Sequence, residues 1–300
     1  ALIVAGRRVY AGTTNAVLTL ALESGAIEQT FLLPTSVVAL AADAKAVVAS
    51  LADGSVQAFL PEWRGSVAGG NPAGRDGKAG RVLPPGVADG LALLSSERGF
   101  ALWAGSGAED DAVRATLVER SRLHWAFAVS SGEVDRVRRH LAERGWLGTR
   151  ASVVARREEG SVPVADRLFN LVVGDRLDMG EARRLVSPGP SGVLVFEGVA
   201  RVADPDPTAG SWTHQYGNSG NSCATAQSLQ GAPRLQWFGG HGPERMPDRH
   251  TRGHAPLVAG GLVVSIAENG LIGTDARNGT VRWRVELPES MRYAMPYDGG

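Results

Sequence analysis

Residues 267–283 read AENGLIGTDARNGTVRW, two short apolar runs that flank an Asn-Gly turn and end on a tryptophan. Asn and Gly tolerate the positive φ that a tight hairpin turn requires, so we expect a positive φ at Gly279. Trp283 closes the second run with a large apolar ring of the kind that anchors one sheet against another. The stretch therefore predicts a β-hairpin with an anchoring tryptophan.

Two further copies of this pattern lie near the beginning of the chain. Residues 4–28 read as turn, strand, strand and return, with Ser24-Gly25 at the hairpin, and Gln29 stands where the closing tryptophan would be. A weaker copy spans residues 36–59, with Asp53-Gly54 as its turn. Hairpins that recur in the same frame predict a β-propeller, with an ordinary antiparallel sandwich as the alternative.

From Gly99 onward the pattern changes to strands that alternate with helices. Apolar runs predict strands at residues 100–104, 124–129, 151–155, 168–173 and 193–196. Helical spacing predicts helices at residues 109–121, from 134 to a stop at Gly145, and at 181–186. This alternation is typical of a parallel, doubly wound α/β sheet of the Rossmann type.

Stretches rich in Gly and Pro frame the α/β segment, so we expect it to be inserted at a loop between propeller blades. The predicted organisation is N-terminal blades at 1–61, a linker at 62–89, an α/β domain at 90–200 and further blades at 201–300. We expect the blades to continue beyond the sequence, since a propeller needs about four to eight of them. The fold class is thus mixed, with an all-β body interrupted by an α/β domain.

The hairpins resemble the blade repeat of quinoprotein-type propellers, and Trp212, Tyr216-Gly217 and Asn221 resemble another segment of that family. The resemblance implies one propeller-like body in which Trp237 and Trp283 are buried between sheets. Enzymes of the family bind pyrroloquinoline quinone (PQQ) with calcium and often use adjacent cysteines. This chain has a single Cys and no assignable calcium ligands, so the resemblance implies the architecture without the quinone. It also implies an exported or periplasmic bacterial protein.

Residues 90–200 resemble a class I methyltransferase that uses S-adenosylmethionine (SAM). In that family the first strand leads into a glycine-rich turn that approaches the cofactor, and Gly105 and Gly107 match that turn. Asp175, after the fourth strand, matches a position that often carries a polar catalytic group. The resemblance therefore implies a vestigial cofactor site at Gly105, Gly107 and Asp175, and it assigns no catalytic residue.

Several positions depart from the methyltransferase pattern. Trp103, Glu109 and Val129 stand where the family has an acid, a glycine and a ribose-binding acid, and Arg156-Arg157 replaces a carboxylate after the third strand. Loss of a charge-assisted carboxylate–diol pair should weaken the free energy of cofactor binding by several kcal/mol, as an order of magnitude. We therefore expect the methyltransferase fold without its activity, with Trp103 packed in the core or filling the vacant pocket.

Composition limits the remaining function classes. The 300 residues are 43% apolar and carry 31 basic and 31 acidic residues, so no bulk charge points to nucleic acid. No apolar run is long enough for a membrane span. His241, His250 and His254 share one loop without a recognised metal-ligand spacing, so we expect no metal site.

The function that the sequence favours is a scaffold or binding module that meets a protein or a small molecule through the propeller face. We expect no confident cofactor, with SAM or PQQ implied by resemblance alone. The alternative is an enzyme, either a SAM-dependent methyltransferase or a quinoprotein oxidoreductase completed by blades outside this sequence.

Overall fold

A computed structural model of the chain describes residues 1–42, 46–59, 82–207, 209–225, 227, 235–237, 255–267 and 270–287. The chain divides into two compact units. One unit combines the two ends of the sequence, Ala1–Gly74 and Thr208–Gly300, and the other is Arg75–Pro207. The His241–His254 loop considered above lies outside the described residues.

The first unit contains three antiparallel sheets in which each strand pairs with its neighbour in sequence. The N-terminal sheet has strands β1 (Leu2–Ala5), β2 (Arg8–Gly12), β3 (Ala16–Ala21) and β4 (Ile27–Leu32). The middle sheet has β5 (Val37–Ala42), β6 (Val47–Leu51) and β7 (Val56–Phe59). The C-terminal sheet has β14 (Leu257–Ala259), β15 (Leu262–Ala267), β16 (Gly270–Asp275) and β17 (Val281–Glu286).

The N-terminal and C-terminal sheets repeat each other residue by residue. Ile3 pairs with Tyr10, and the residues 254 positions later, Leu257 and Val264, pair in the same way. The same offset relates the pairs of β2 with β3 to those of β15 with β16. It also relates the β3–β4 and β16–β17 hairpins, including the register shift at Thr19/Leu20 and at Gly273/Thr274. The repeat seen in the sequence is therefore a repeat of strand register.

Trp283 joins these two sheets through a glycine turn. Its indole Nε1–H donates to the carbonyl of Leu22 at 2.7 Å, and its side chain is 6% exposed. The ring lies against Gly25, where a Cβ would come within 2.5 Å of Cδ2 of the indole. Gly25 has a φ of 70° in the β3–β4 turn. The burial expected of Trp283 is confirmed.

Trp237 makes the corresponding contact with the β16–β17 turn of the C-terminal sheet. Its Nε1–H donates to the carbonyl of Ala276 at 3.0 Å, and its ring lies 2.5 Å from the place of a Cβ on Gly279. Gly279 has a φ of 75°, which confirms the positive φ expected in this turn. Trp237 is half-buried rather than fully buried, and the residues on both sides of 235–237 lie outside the described part of the chain.

The N-terminal sheet is packed on both of its faces. Leu2, Val9 and Leu20 share one core cluster with residues of the C-terminal sheet, including Trp283. Ile3, Tyr10 and Val17 share another cluster with residues of the middle sheet. Side chains alternate between faces along a strand, so neighbouring residues of β1–β3 serve different interfaces.

The second unit is built on a six-stranded sheet. Its strands are β8 (Phe100–Trp103), β9 (His124–Val129), β10 (Ala151–Ala155), β11 (Leu171–Val173), β12 (Val193–Phe196) and β13 (Val199–Val202). Its helices are α1 (Val87–Leu93), α2 (Asp111–Glu119), α3 (Val134–Glu143) and α4 (Met179–Leu185). Strands with intervening helices produce the doubly wound arrangement expected from the sequence.

The sheet order is β10-β9-β8-β11-β12-β13, in which the first five strands are parallel and β13 is antiparallel. Residues of α1, α2 and α3 pack on one face of the sheet around Trp125 and Phe127. Residues of α4 pack on the other face around Leu102 and Val172. The sheet is thus covered on both sides, as parallel sheets normally are.

Some element boundaries differ from those expected. Helix α2 begins at Asp111 rather than at residue 109, because the Asp110 side chain accepts from the Ala112 and Val113 amides and caps the helix. Helix α1 crosses the boundary placed between 89 and 90, and strand β13 was not predicted. Residues 168–170 precede the short strand β11 instead of belonging to it.

None of the four helices in the described part of the chain has the length and apolar composition that crossing a membrane requires.

The glycine at the tryptophan contact provides a test of the packing. We expect Gly25→Ala to lower the free energy of unfolding by clearly more than the ~1 kcal/mol that a positive φ alone costs, because the new methyl group meets the Trp283 ring. Gly6→Ala is the matched control, since Gly6 has a φ of 61° in the same sheet and no atom within 4 Å of a Cβ. Urea unfolding curves measure both. Equal losses in the two variants would contradict the packing role.

Candidate functional site

The sheet of the second unit has one point at which the direction of strand order reverses. From β8 the chain builds outward through β9 and β10, and then returns to the other side of β8 for β11 and β12. Doubly wound folds bind ligands in the crevice at the carboxyl ends of the strands beside such a point. The turns that follow β8, β9, β10 and β11 therefore define the candidate site.

The turn after β8 is held by a carboxylate of the chain itself. Asp175 accepts a hydrogen bond from the Ser106 amide at 2.7 Å through Oδ1 and one from Ser106 Oγ at 2.8 Å through Oδ2. Gly105 leaves the room for this contact, since a Cβ there would lie 2.9 Å from Asp175 Oδ1. Gly107 has a φ of 85°, a conformation that suits glycine. The Asp175 carboxylate thus takes the hydrogen bond of the Ser106 amide, a donor that a bound ligand could otherwise use.

Trp103 ends β8 directly before this turn. Its side chain is 3% exposed and belongs to the core cluster on the α1–α3 face. Its ring meets Trp125 edge-on, with centroids 6.4 Å apart. The indole N–H is buried without a hydrogen-bond partner among the described residues. Trp103 is therefore packed as core, which is one of the two placements expected from the sequence, and the end of β8 is apolar.

Ion pairs surround the start of α2. The Glu109 carboxylate lies 3.5 Å from Arg176, and the Glu109 carbonyl accepts from Arg136 at 2.5 Å. Arg136 also donates to Asp111 at 3.0 Å and to Glu133 at 2.5 Å. The Glu109 and Glu133 carboxylates are thus each paired with an arginine.

Asp111 connects α2 with α3. Its carboxylate pairs with Arg114 and Arg136 and lies 3.3 Å from His140 Nδ1. Partial burial would raise the pKa of Asp111, but the charges of Arg114, His140 and Arg136 outweigh it and hold that pKa below its usual value. Arg114 is fully buried, which lowers its pKa. The cluster fixes the two helices that border the crevice.

The ends of β9 and β10 present the opposite chemistry. After Val129 come Ser130, Ser131 and Gly132, and after Ala155 comes Arg156. The Arg156 amide donates to the Val129 carbonyl at 2.7 Å, so the two turns begin side by side. Hydroxyl and guanidinium groups here can donate hydrogen bonds to an acceptor, whereas a carboxylate would accept them.

The structure brings together the three residues that the sequence proposed for the cofactor site. Gly105, Gly107 and Asp175 meet in the turn after β8, and Asp175 contacts the turn directly. The sequence reasoning missed Ser130 as a neighbour of Arg156, because the pairing of β9 with β10 is a tertiary fact. The parallel alternation of strands and helices was the signal from which this neighbourhood could have been found.

No group of three or more His, Cys, Asp or Glu side chains in the described ranges is placed to hold a metal ion. The first unit contains a cavity of about 400 Å³ beside the bridge between Trp212 and Val258. Its lining residues are Gly210, Ser211, Trp212, Thr225, Gln227, Ala255, Pro256 and Val258. These side chains include no charged group, so the cavity offers no acid–base chemistry.

Comparison with known proteins finds similarity at the level of structure. No family model and no curated protein matches the sequence. A solved structure named as a putative S-adenosyl-L-methionine-dependent methyltransferase from Methanococcus maripaludis matches with 18% identity and a TM-score of 0.30. The match covers 36% of this chain and about half, 52%, of that chain. At this TM-score the similarity carries no argument about ligand or reaction.

The contact between Asp175 and Ser106 can be measured by a double-mutant cycle. We expect Asp175→Ala to lower the free energy of unfolding by about 1 kcal/mol, because it removes two hydrogen bonds at an exposed site. Ser106→Ala removes the hydroxyl bond and leaves the amide bond, so it should cost less. Urea unfolding of both single variants and the double variant gives the coupling energy. Strict additivity of the two changes would show that the residues do not interact.

Proposed function

We propose that the chain is a scaffold or binding module, in which quinoprotein-like propeller blades carry an inserted α/β domain of the methyltransferase type that does not use SAM. The observation that carries this proposal is the chemistry of the crevice in the α/β unit. An apolar indole stands at the end of β8 and hydroxyl groups stand at the end of β9, where the cofactor requires carboxylates.

The propeller part is supported by the repeat geometry of the first unit. Two four-stranded sheets share one strand register at a constant offset, and each receives an indole at the glycine of its last turn. The N-terminal sheet is packed on both faces, as a blade between two neighbours would be. Blades of four antiparallel strands that pack face to face are the building units of propellers.

Two features of the crevice support the proposal that the α/β domain does not bind SAM: its charged groups are already paired, and Trp103 fills the space at the end of β8. SAM carries a positive sulfonium and a ribose diol, and carboxylates are the groups that favour both. Trp103 is part of the core, and Glu109 is paired with Arg176, so neither stands ready for a cofactor amine or diol. The Ser106 amide is taken by Asp175. A fold can persist after such changes, because function resides in the site and not in the fold.

An enzyme is the second candidate, and Asp175 is the observation that favours it. The carboxylate lies at the switch point of the sheet, against the glycine turn, where a polar catalytic group would be placed. In that reading the chain is a SAM-dependent methyltransferase with an unusual pocket. A quinoprotein oxidoreductase completed by further blades is the other form of this candidate.

Isothermal titration of the 300-residue chain with SAM tests the proposal directly. We expect no heat of binding at millimolar ligand, because each carboxylate at the crevice is already bonded within the chain, Asp175 to Ser106, Glu109 to Arg176 and Glu133 to Arg136. A known SAM-binding methyltransferase, titrated under the same conditions, is the positive control. Micromolar binding of SAM would overturn the proposal and place the methyltransferase first.

A parallel titration with pyrroloquinoline quinone and calcium addresses the other enzymatic form. We expect no binding here either. Saturable binding that requires calcium would favour the oxidoreductase.

A further inference from the structure

Arg156 differs from the other shielded arginines of the α/β unit. Four other arginines there are buried or half-buried, and each bonds to a carboxylate or to backbone carbonyls; they are Arg114, Arg150, Arg167 and Arg184. Arg156 is also half-buried, and its guanidinium has no hydrogen-bond or ion-pair partner among the described residues. None of its nitrogen atoms is among the buried unpartnered atoms of the described residues, so the guanidinium is open to an anion from outside the chain.

Arg156 begins the turn after β10, at the edge of the sheet that borders the ligand crevice. Ala155 pairs with Val129 at the last rung of the β9–β10 ladder, so Ser130 and Arg156 begin the turns of two neighbouring strands. Neighbouring strands lie about 4.8 Å apart, which brings both residues within reach of one small group. The Ser130 hydroxyl makes no capping bond to the turn that follows it. Both side chains are therefore available to a ligand.

The end of the second strand is the point at which doubly wound folds meet the sugar of a nucleotide. A carboxylate there accepts from the sugar hydroxyls, whereas an arginine there binds a phosphate carried on the sugar. In this chain the nearest carboxylate of that turn, Glu133, is bonded to Arg136 Nε at 2.5 Å. The turn after β10 also carries Glu158 and Glu159, and Glu159 lies 3.9 Å from Arg157 and accepts from Ser161 Oγ. Ser130 and Arg156 remain as donors at the strand ends, and a guanidinium binds phosphate oxygens through paired, charge-assisted bonds.

We propose that the ends of β9 and β10 form a subsite for a phosphate monoester on the sugar of a nucleotide, with Arg156 as the guanidinium donor and Ser130 as the hydroxyl donor. The crevice has then exchanged a ligand held by carboxylates for one held by an arginine. The inference rests on the proposed binding-module function for the α/β unit, and it adds the class of ligand.

Titration calorimetry with NADP⁺ and NAD⁺ tests the subsite on the full chain, because these probes differ by one phosphate monoester on a ribose. We expect NADP⁺ to bind about tenfold tighter than NAD⁺ or better, since a charge-assisted bidentate contact is lost with the phosphate. Equal affinities, or no binding of either probe, would overturn the inference. Inorganic phosphate is the third arm, and binding as tight as that of NADP⁺ would show a site for free phosphate instead of a nucleotide.

Two variants test whether Arg156 is the residue that causes the preference for NADP⁺. Arg156→Gln should abolish the preference for NADP⁺, while Arg183→Gln should keep it, because Arg183 is exposed on the last turn of α4, on the other face of the sheet. Unchanged discrimination in Arg156→Gln would overturn the assignment. If Arg156→Gln does not fold, the ratio of the two affinities on the unaltered chain decides alone. If the chain does not prefer NADP⁺, the subsite is wrong but the result of the SAM titration still stands. If the chain binds SAM, the proposed function itself is wrong.

Discussion

The first unit depends on the contact between an indole ring and a glycine that has a positive φ. A left-handed residue in the turn lets the hairpin close, and the absence of a Cβ lets the ring of another segment lie on the turn backbone. Gly25 receives Trp283 and Gly279 receives Trp237 in this way, and each indole N–H donates to the carbonyl three residues before the glycine. One residue type thus sets the shape of the hairpin and also creates the surface on which the neighbouring segment packs.

The two four-stranded sheets differ in whether they also supply an indole for such a contact. Gln29 pairs with Thr19 where Trp283 pairs with Gly273, so the N-terminal sheet accepts an indole but provides none at the equivalent position. Its other face is occupied by apolar residues that pack with the middle sheet, and Phe31 and Phe59 place their rings 4.5 Å apart. Apolar burial holds most of that interface and tolerates different side chains because it is non-directional, and the Val37 amide adds one backbone hydrogen bond to the Thr13 carbonyl at 2.9 Å.

The sequence predicted the local elements well and the tertiary neighbours poorly. The turn at Gly279, the strand at 124–129 and the burial of Trp283 follow from glycine chemistry and apolar pattern, which are properties of short segments. Strand β13 escaped prediction because it is short and exposed, and it is defined by pairing with β12. Asp110 shortened the predicted helix, because a capping side chain competes with the helical pattern at the first turn.

In the candidate site, sequence reasoning could identify what each position lacks but not what faces it. The sequence shows that Trp103 stands where the methyltransferase pattern has an acid. Its place in the core and the pairing of Asp175 with Ser106 depend on the register of β8 and β11. That Arg156 has no partner among the described residues could be known only once the carboxylates in that part of the chain had been placed. Absence of a contact is a property of the whole fold, so no local pattern encodes it.

The division of the α/β unit into sheet and turns makes a change of ligand possible without loss of the fold. Side chains within β8 alternate between two cores, with Ala101 and Trp103 on one face and Phe100 and Leu102 on the other. Stability comes from these faces, whereas binding depends on residues beyond the last rungs of the ladders, such as Ser130 and Arg156. Substitutions in those turns alter charge and hydrogen bonding while the buried apolar surface stays the same. Trp103 lies at the border between the two, as the last residue of β8, and its indole belongs to the core.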